Sequence, residues 1–165
     1  MKINLGDLQL EIFQDDSLEH IKLLQEFKGK SDSKYIHSIV ERLLQNRNQK
    51  SFPFDTGFVV SLISGESIGY LFISSIRNDE VFLESSILKD KRKMGYGKKC
   101  LEFVTNYLFE HYNIKDIALD IDVSNEASRK TAEACGYYED EYLKEGKFIY
   151  RNYNLNYVSK RRKEK

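Results

Sequence analysis

Apolar residues recur at two different periods along the chain, and the switches between them divide it into elements. Residues 8–13 (LQLEIF) alternate, which predicts a first strand. Asp16 followed by Glu19 has the spacing of a capping box, and Leu18, Ile21 and Leu24 follow at helical spacing, predicting a helix over 17–28 that Gly29 ends. Ser31–Asp32–Ser33 restarts a helix over 34–46, with Ile36, Ile39, Val40, Leu43 and Leu44 on one face, the pattern of a helix packed on a sheet. From residue 57 the pattern is that of strands: 57–63, 67–76 and 80–88 are β-branched and aromatic. The short polar breaks Ser64–Gly65–Glu66 and Arg77–Asn78–Asp79 predict antiparallel hairpins.

Beyond Gly97 helical spacing returns, with Leu101, Val104, Leu108 and Tyr112 on one face. Residues 117–123 (IALDIDV) alternate as a strand. A short helix over 126–134 follows Asn125 as its cap, and Gly136 sits where a left-handed C-terminal residue is favoured. Two more strand-like pieces lie around Tyr142–Leu143 and Phe148–Tyr153. Hairpins followed by β-α-β predict an α/β (α+β) chain with a mixed sheet and helices on its faces.

Composition narrows the classes. The 165 residues suit one domain, expected over 1–158, with 41% hydrophobic and 13% aromatic residues to build a core. Lys+Arg and Asp+Glu are both 26, so the excess of positive charge expected of a nucleic-acid coat is missing. No apolar run approaches the roughly 18 residues that span a bilayer. Cys100 and Cys135 form no Cys-x-x-Cys, and with His20, His37 and His111 scattered no metal site is expected. The two thiols read as buried and free, in a cytoplasmic protein. The basic end, 159–165 with KRRKEK, reads as a frayed, solvated tail.

Zero net charge makes one segment conspicuous. Residues 89–99, KDKRKMGYGKK, hold six bases and one acid between a predicted strand and a predicted helix. The first amides of a helix lack internal partners and its dipole is positive there. Gly95 and Gly97 are expected to let backbone approach a ligand and adopt φ > 0. Together these predict an anion site, most naturally for phosphate. Position 100 is cysteine, so the dinucleotide fingerprint G-x-G-x-x-G fails, and no Walker A loop is present.

Arg92-x-x-Gly95-x-Gly97, a further strand, then Asn125-x-x-Ser128 with Gly136–Tyr137 closing the next helix form an ordered set. From about residue 8 to 155 the chain resembles the GNAT N-acetyltransferase superfamily, and the N-x-x-S…G-Y ending is similar to its ribosomal-protein N-terminal acetyltransferase branch. The resemblance implies the GNAT fold, a twisted, mostly antiparallel mixed sheet of about six to seven strands flanked by about four helices. It implies acetyl-CoA as cosubstrate, in a cleft where the strands at 80–88 and 117–123 splay apart. Pantetheine amides would pair with backbone near Ile87, Leu88 and Lys89. The diphosphate would meet amides and side chains across Arg92, Lys93, Met94, Gly95, Tyr96, Gly97 and Lys98, with Lys91 and Lys99 also near, and Asn125 and Ser128 would touch the cofactor.

Acetyl transfer needs a deprotonated amine, a donor for the oxyanion and a proton for the leaving thiolate. Glu84 is the expected base by position and Glu80 the reserve; a backbone amide near Ile87 is the expected oxyanion donor. Many GNATs place a tyrosine seven residues after the Asn, but Ala132 stands there, so the resemblance leaves the thiolate to Ser128. Tyr137 and Tyr138 are expected to be core and rim. Residues 116–145 hold nine acids and three bases, which suits a cationic amine acceptor. The helices at 17–28 and 34–46 with their connection are expected to form the acceptor wall, with Tyr35, Phe52 and Phe54 either lining it or packing in the core. A homodimer through the sheet edge is compatible with this reading, and a membrane or nucleic-acid partner is not expected. The competing expectation is an acyl-CoA-binding sensor of the same fold without turnover.

Overall fold

A computed structural model describes residues 2–12 and 57–159. The helices expected at 17–28 and 34–46, the expected wall residues Tyr35, Phe52 and Phe54, and the basic end from 160 lie outside the described residues. In chain order the elements are β1 (Lys2–Asn4), β2 (Leu8–Ile12), β3 (Gly57–Leu62), β4 (Ser67–Arg77), β5 (Glu80–Ile87), a 3-10 turn (Lys89–Lys91), α1 (Tyr96–His111), β6 (Asp116–Asp122), α2 (Glu126–Ala134), β7 (Tyr138–Leu143) and β8 (Lys147–Tyr153).

Eight strands among the described residues form one sheet in the order β1-β2-β3-β4-β5-β6-β8-β7. Every pairing is antiparallel except β5 with β6, which α1 connects as a crossover. The mixed, mostly antiparallel sheet is as expected, with one strand more than the sequence suggested. The added strand is β1, three residues held against β2 from Lys2↔Glu11 to Asn4↔Gln9. Three residues are too few to show a period, so only the pairing reveals it.

Local chemistry explains the elements that were foreseen. Asn78 and Asp79 both take positive φ, 49° and 66°, in the two-residue turn that joins β4 to β5. Asn and Asp tolerate that region better than other side chains. The β4–β5 register slips between Ile73 and Ser75, and the hydroxyl of the extra residue, Ser74, donates to the Phe82 carbonyl at 3.2 Å.

One face of the sheet carries both described helices. Cys100, Leu101, Val104 and Leu108 of α1 are buried in one cluster with Leu8, Leu10, Leu71, Val81, Leu83 and Ile117. Burying each such aliphatic side chain contributes about 1.5–3 kcal/mol. Thr105 and Tyr137 share a buried hydrogen bond of 2.7 Å, tying α1 to the chain leaving α2. Tyr137 is core and Tyr138 is exposed, as expected. Gly136 takes φ 92°, and the Tyr137 N–H donates back to Ala132, ending α2 as predicted. Of the two thiols, Cys100 is buried but Cys135 only partly so. Among the described residues no helix is long and apolar enough to cross a membrane.

Candidate functional site

β5 and β6 pair in parallel over four positions only, from Glu80↔Asp116 to Leu83↔Leu119. Past Leu83, β5 continues against β4 alone, out to Ile87↔Gly69. Past Leu119, β6 continues against β8 alone, out to Asp122↔Lys147. Among the described residues the two strands therefore diverge at their C-terminal ends and form a fork, at the place where the splay was expected. Gly69 holds β5 on the β4 side. A Cβ there would lie 2.5 Å from the Ser86 carbonyl oxygen, so only glycine lets the strands approach this closely.

Among the described residues the fork has free backbone on its β5 side. The Leu88 N–H donates to Ile68 of β4 at 2.8 Å, and the Leu88 carbonyl accepts from Lys91. Successive residues of a strand direct their backbone groups to opposite edges. Ser85, which the sequence reading did not single out, and Ile87 thus face the fork, whereas Leu88, grouped with Ile87 in that reading, has both groups engaged. The Ile87 carbonyl accepts from the Arg92 Nε at 2.8 Å, which leaves the Ile87 N–H as the inward donor and pins Arg92 to the strand end. Of Lys89 the backbone is described as the start of the 3-10 turn.

At the mouth of the fork lies the basic loop. Lys93 takes φ 66° and Gly95 φ 81°, so the backbone turns twice through the left-handed region before α1 begins. No side chain caps α1, and its first turn has no acid, so its leading amides stay open to an anion. Gly97 has no positive φ, contrary to expectation; a Cβ there would rest 3.9 Å from Ile87. Gly95 alone supplies the left-handed glycine. The bases divide into two sets. Lys91 lies 3.6 Å from Glu66 and Lys99 lies 2.7 Å from Asp7, anchoring the loop to two hairpin turns. Lys99 in return holds the Asp7 carboxyl below its usual range. Lys93 and Lys98 have no ion pair among the described residues and are exposed, as is Met94; Tyr96 is half-buried. A groove of about 440 Å³ lined by Leu5, Gly95, Lys98 and Phe103 runs beside them.

Glu84 is half-buried on β5, on the face opposite Val81 and Leu83, in register with Phe72. It is the first β5 residue past the last β5–β6 pair. Its counterpart on β6 is Asp120, exposed and on the same face. The sequence reading counted Asp120 only as one acid of a rim; the alternation of IALDIDV marked its face, but only the pairing sets it at the fork. Glu80 lies at the other end of the parallel pair, away from the mouth.

Asn125 accepts from the Ser128 N–H at 3.2 Å, capping α2 as predicted, so Ser128 occupies the first turn, half-buried. Arg129, which the sequence reading passed over, fixes this turn. Its guanidinium donates to the Val123 carbonyl and the Tyr150 hydroxyl, both at 3.1 Å, and lies 4.7 Å from the Phe148 ring centre. Ala132, at the position where a tyrosine was looked for, is 1% exposed inside the core. Burial pushes the Cys100 thiol up to about 12 and raises Cys135, so neither is an activated nucleophile.

Comparison with known proteins agrees with this geometry. Residues 4–138 match the family model described as an acetyltransferase (GNAT) domain. An uncharacterized N-acetyltransferase from Methanocaldococcus jannaschii is 29% identical over 86 residues, 52% of this chain, and the match spans only 55% of that relative's length. Among solved structures, a ribosomal-protein-S5-alanine acetyltransferase from Vibrio fischeri superposes with a TM-score of 0.73 at 15% identity, covering 96% of this chain and all of that one. A ribosomal L7/L12 α-N-protein acetyltransferase in complex with coenzyme A gives 0.72 at 13% identity, over 93% of this chain and 98% of that one.

Proposed function

The chain belongs to the GNAT acetyltransferase family, and we propose that it is an acetyl-CoA-dependent N-acetyltransferase that moves the acetyl group to a primary amine by direct attack in a ternary complex. The observation that carries this reading is the fork: β5–β6 pairing that stops at Leu83↔Leu119, with a basic loop and an uncapped helix start at its mouth. Acetyl-CoA supplies an activated thioester and a diphosphate handle. Backbone of Ser85 would receive the pantetheine arm as an added strand. The amides from Lys93 to Lys98, with the Lys93 and Lys98 ammonium groups, would receive the diphosphate. Asn125 and Ser128 would bound the thioester end from α2.

Each chemical requirement then has a group. Glu84 accepts a proton from the incoming ammonium, directly or through one water. Asp120, across the fork, draws a cationic amine to the same face. The Ile87 N–H donates to the developing oxyanion, a contribution of about 3 kcal/mol. The Ser128 hydroxyl hydrogen-bonds the departing thiolate and relays to it the proton that the attacking nitrogen loses as the tetrahedral intermediate collapses to the amide. The acceptor is a primary amine of a small molecule or a peptide, cationic before it reacts. The neighbours named for ribosomal-protein substrates favour a peptide N-terminus as the first acceptor to try.

Thermal-shift titration with acetyl-CoA, followed by thiol release across a panel of amines, tests the reading. Acetyl-CoA at 100 times its dissociation constant should add about 2.7 kcal/mol of stability. Gly97→Asp should abolish that gain by setting a carboxylate beside the phosphates. Equal responses from the mutant and the parent would refute the loop assignment. Glu84→Gln should slow turnover and keep the thermal shift. A second reading, acyl-CoA binding without turnover, is favoured by Ala132, whose buried position leaves no room for a tyrosine acid. Tight binding with no thiol release from any amine would select it.

A further inference from the structure

The closed end of the fork carries an arrangement that acetyl transfer does not require. Glu80 and Asp116 face each other in register at the first β5–β6 pair, so two carboxyl groups stand side by side on one face of the sheet. Asp116 is 2% exposed, and its Oδ1 has no hydrogen-bond partner. One guanidinium serves the neighbourhood. Arg151 donates to Glu80 at 2.9 Å through Nε, and to Asp140 and Glu141 at 2.7 Å each through Nη1. Three carboxylates thus share the one arginine, and among the described residues Asp116 faces Glu80. A fully buried carboxylate cannot hold an uncompensated charge against another carboxylate.

We propose that Asp116 is a positioning residue: as a neutral carboxylic acid it donates its proton to Glu80 and closes the root of the fork, so that one proton governs how firmly β5 and β6 are held below the cleft. The link to the cleft rests on the acetyl-CoA reading; the proton itself does not. The other charged and titratable groups around the pair are accounted for among the described residues. Arg77 of β4 stands in register with Glu80 but is exposed. Asp79, on the turn before β5, accepts from the Tyr157 hydroxyl at 2.8 Å. Tyr153 of β8 is the register partner of Asp116 and stacks on Tyr138 of β7, and Lys115 precedes Asp116 on the exposed side.

Burial first, and then the neighbouring Glu80, push the Asp116 carboxyl up to about 7. Burial alone would also raise Glu80, but its hydrogen bonds to Asp116 and Arg151 hold it below its usual range. Between the ordinary aspartate range and neutrality the folded chain therefore binds a proton at Asp116 that the unfolded chain has lost. Stability is highest on the acid side of that window and declines as pH rises through it. Glu80 acts oppositely, its contribution being lost only in stronger acid.

Asp116→Asn keeps the shape and offers a permanent N–H to Glu80. The melting temperature of the parent should fall by roughly 5 °C between about pH 5 and about pH 8 relative to that of Asp116→Asn. Parallel curves would overturn the proposal. A carboxyl-carbon NMR titration of the parent needs no variant: one buried aspartate should titrate near neutrality, and its ionisation in the ordinary range would also overturn it. Acetyl-CoA affinity should weaken several-fold over the same pH range in the parent relative to Asp116→Asn. An identical pH profile in both would remove the coupling to the cleft. Absence of acetyl-CoA binding at every pH would instead count against the cofactor reading and leave the melting and NMR results to decide the proton.

Discussion

The two ends of the β5–β6 pair are a few residues apart and are built on opposite terms. At the root, Arg151 holds Glu80, Asp116 lies buried beside Glu80, and the backbone ladder is closed. At the mouth, the backbone of Ser85 and Ile87 faces the fork, and among the described residues the exposed bases Lys93 and Lys98 have no ion pair and no side chain caps the helix start. The strands stay paired at the root, where Arg151 of β8 binds Glu80. They part where a close neighbour on the far side, here β4 against Gly69, claims one of them. The contrast separates a closed end, where one arginine gathers carboxylates from two strands, from an open end, where backbone groups and bases have no partner among the described residues.

Substitutions at each end should sharpen that contrast. The largest effect is expected from Arg151→Met, which strips the partner from Glu80, Asp140 and Glu141 together. Urea unfolding should show a loss of about 3 kcal/mol. The surviving folded protein should still be stabilised by acetyl-CoA. Gly69→Ala should cost less stability, about 2 kcal/mol, because the new Cβ meets the Ser86 carbonyl and the β4–β5 end must shift. Its acetyl-CoA response in the same melting assay should nevertheless drop further than that of Arg151→Met, since the shift is at the mouth. An unchanged acetyl-CoA response in Gly69→Ala would break the division between the two ends. Asn125→Ala is expected to be mildest, removing the cap on the Ser128 N–H for about 1 kcal/mol in urea unfolding.

Much of the architecture could be read before any coordinates. The hairpin strands, α1 and α2 announced themselves through period and turn chemistry, with Asn78–Asp79 and Gly136 adopting the left-handed backbone their types favour. The basic loop before α1 was legible because glycine spacing and a run of bases are local signals. Other features were not. β1 is too short to show a period, and Gly97 looks like Gly95 in the sequence but is helical. Leu88 has no open backbone because Ile68, twenty positions earlier, takes its N–H. The anchoring of the Ser128 turn by Arg129 depends on Tyr150 from a later strand.

From the amino-acid order alone came the succession of elements, the electropositive turn feeding a helix and the capped start of α2, because each is encoded within a few neighbouring residues. The tertiary structure alone decided where β5 and β6 stop pairing, which backbone groups remain open, and that Asp116 is buried against Glu80 with one arginine shared among three other carboxylates. Those outcomes depend on partners tens of residues away, and burial and charge compensation exist only once distant strands have been brought side by side.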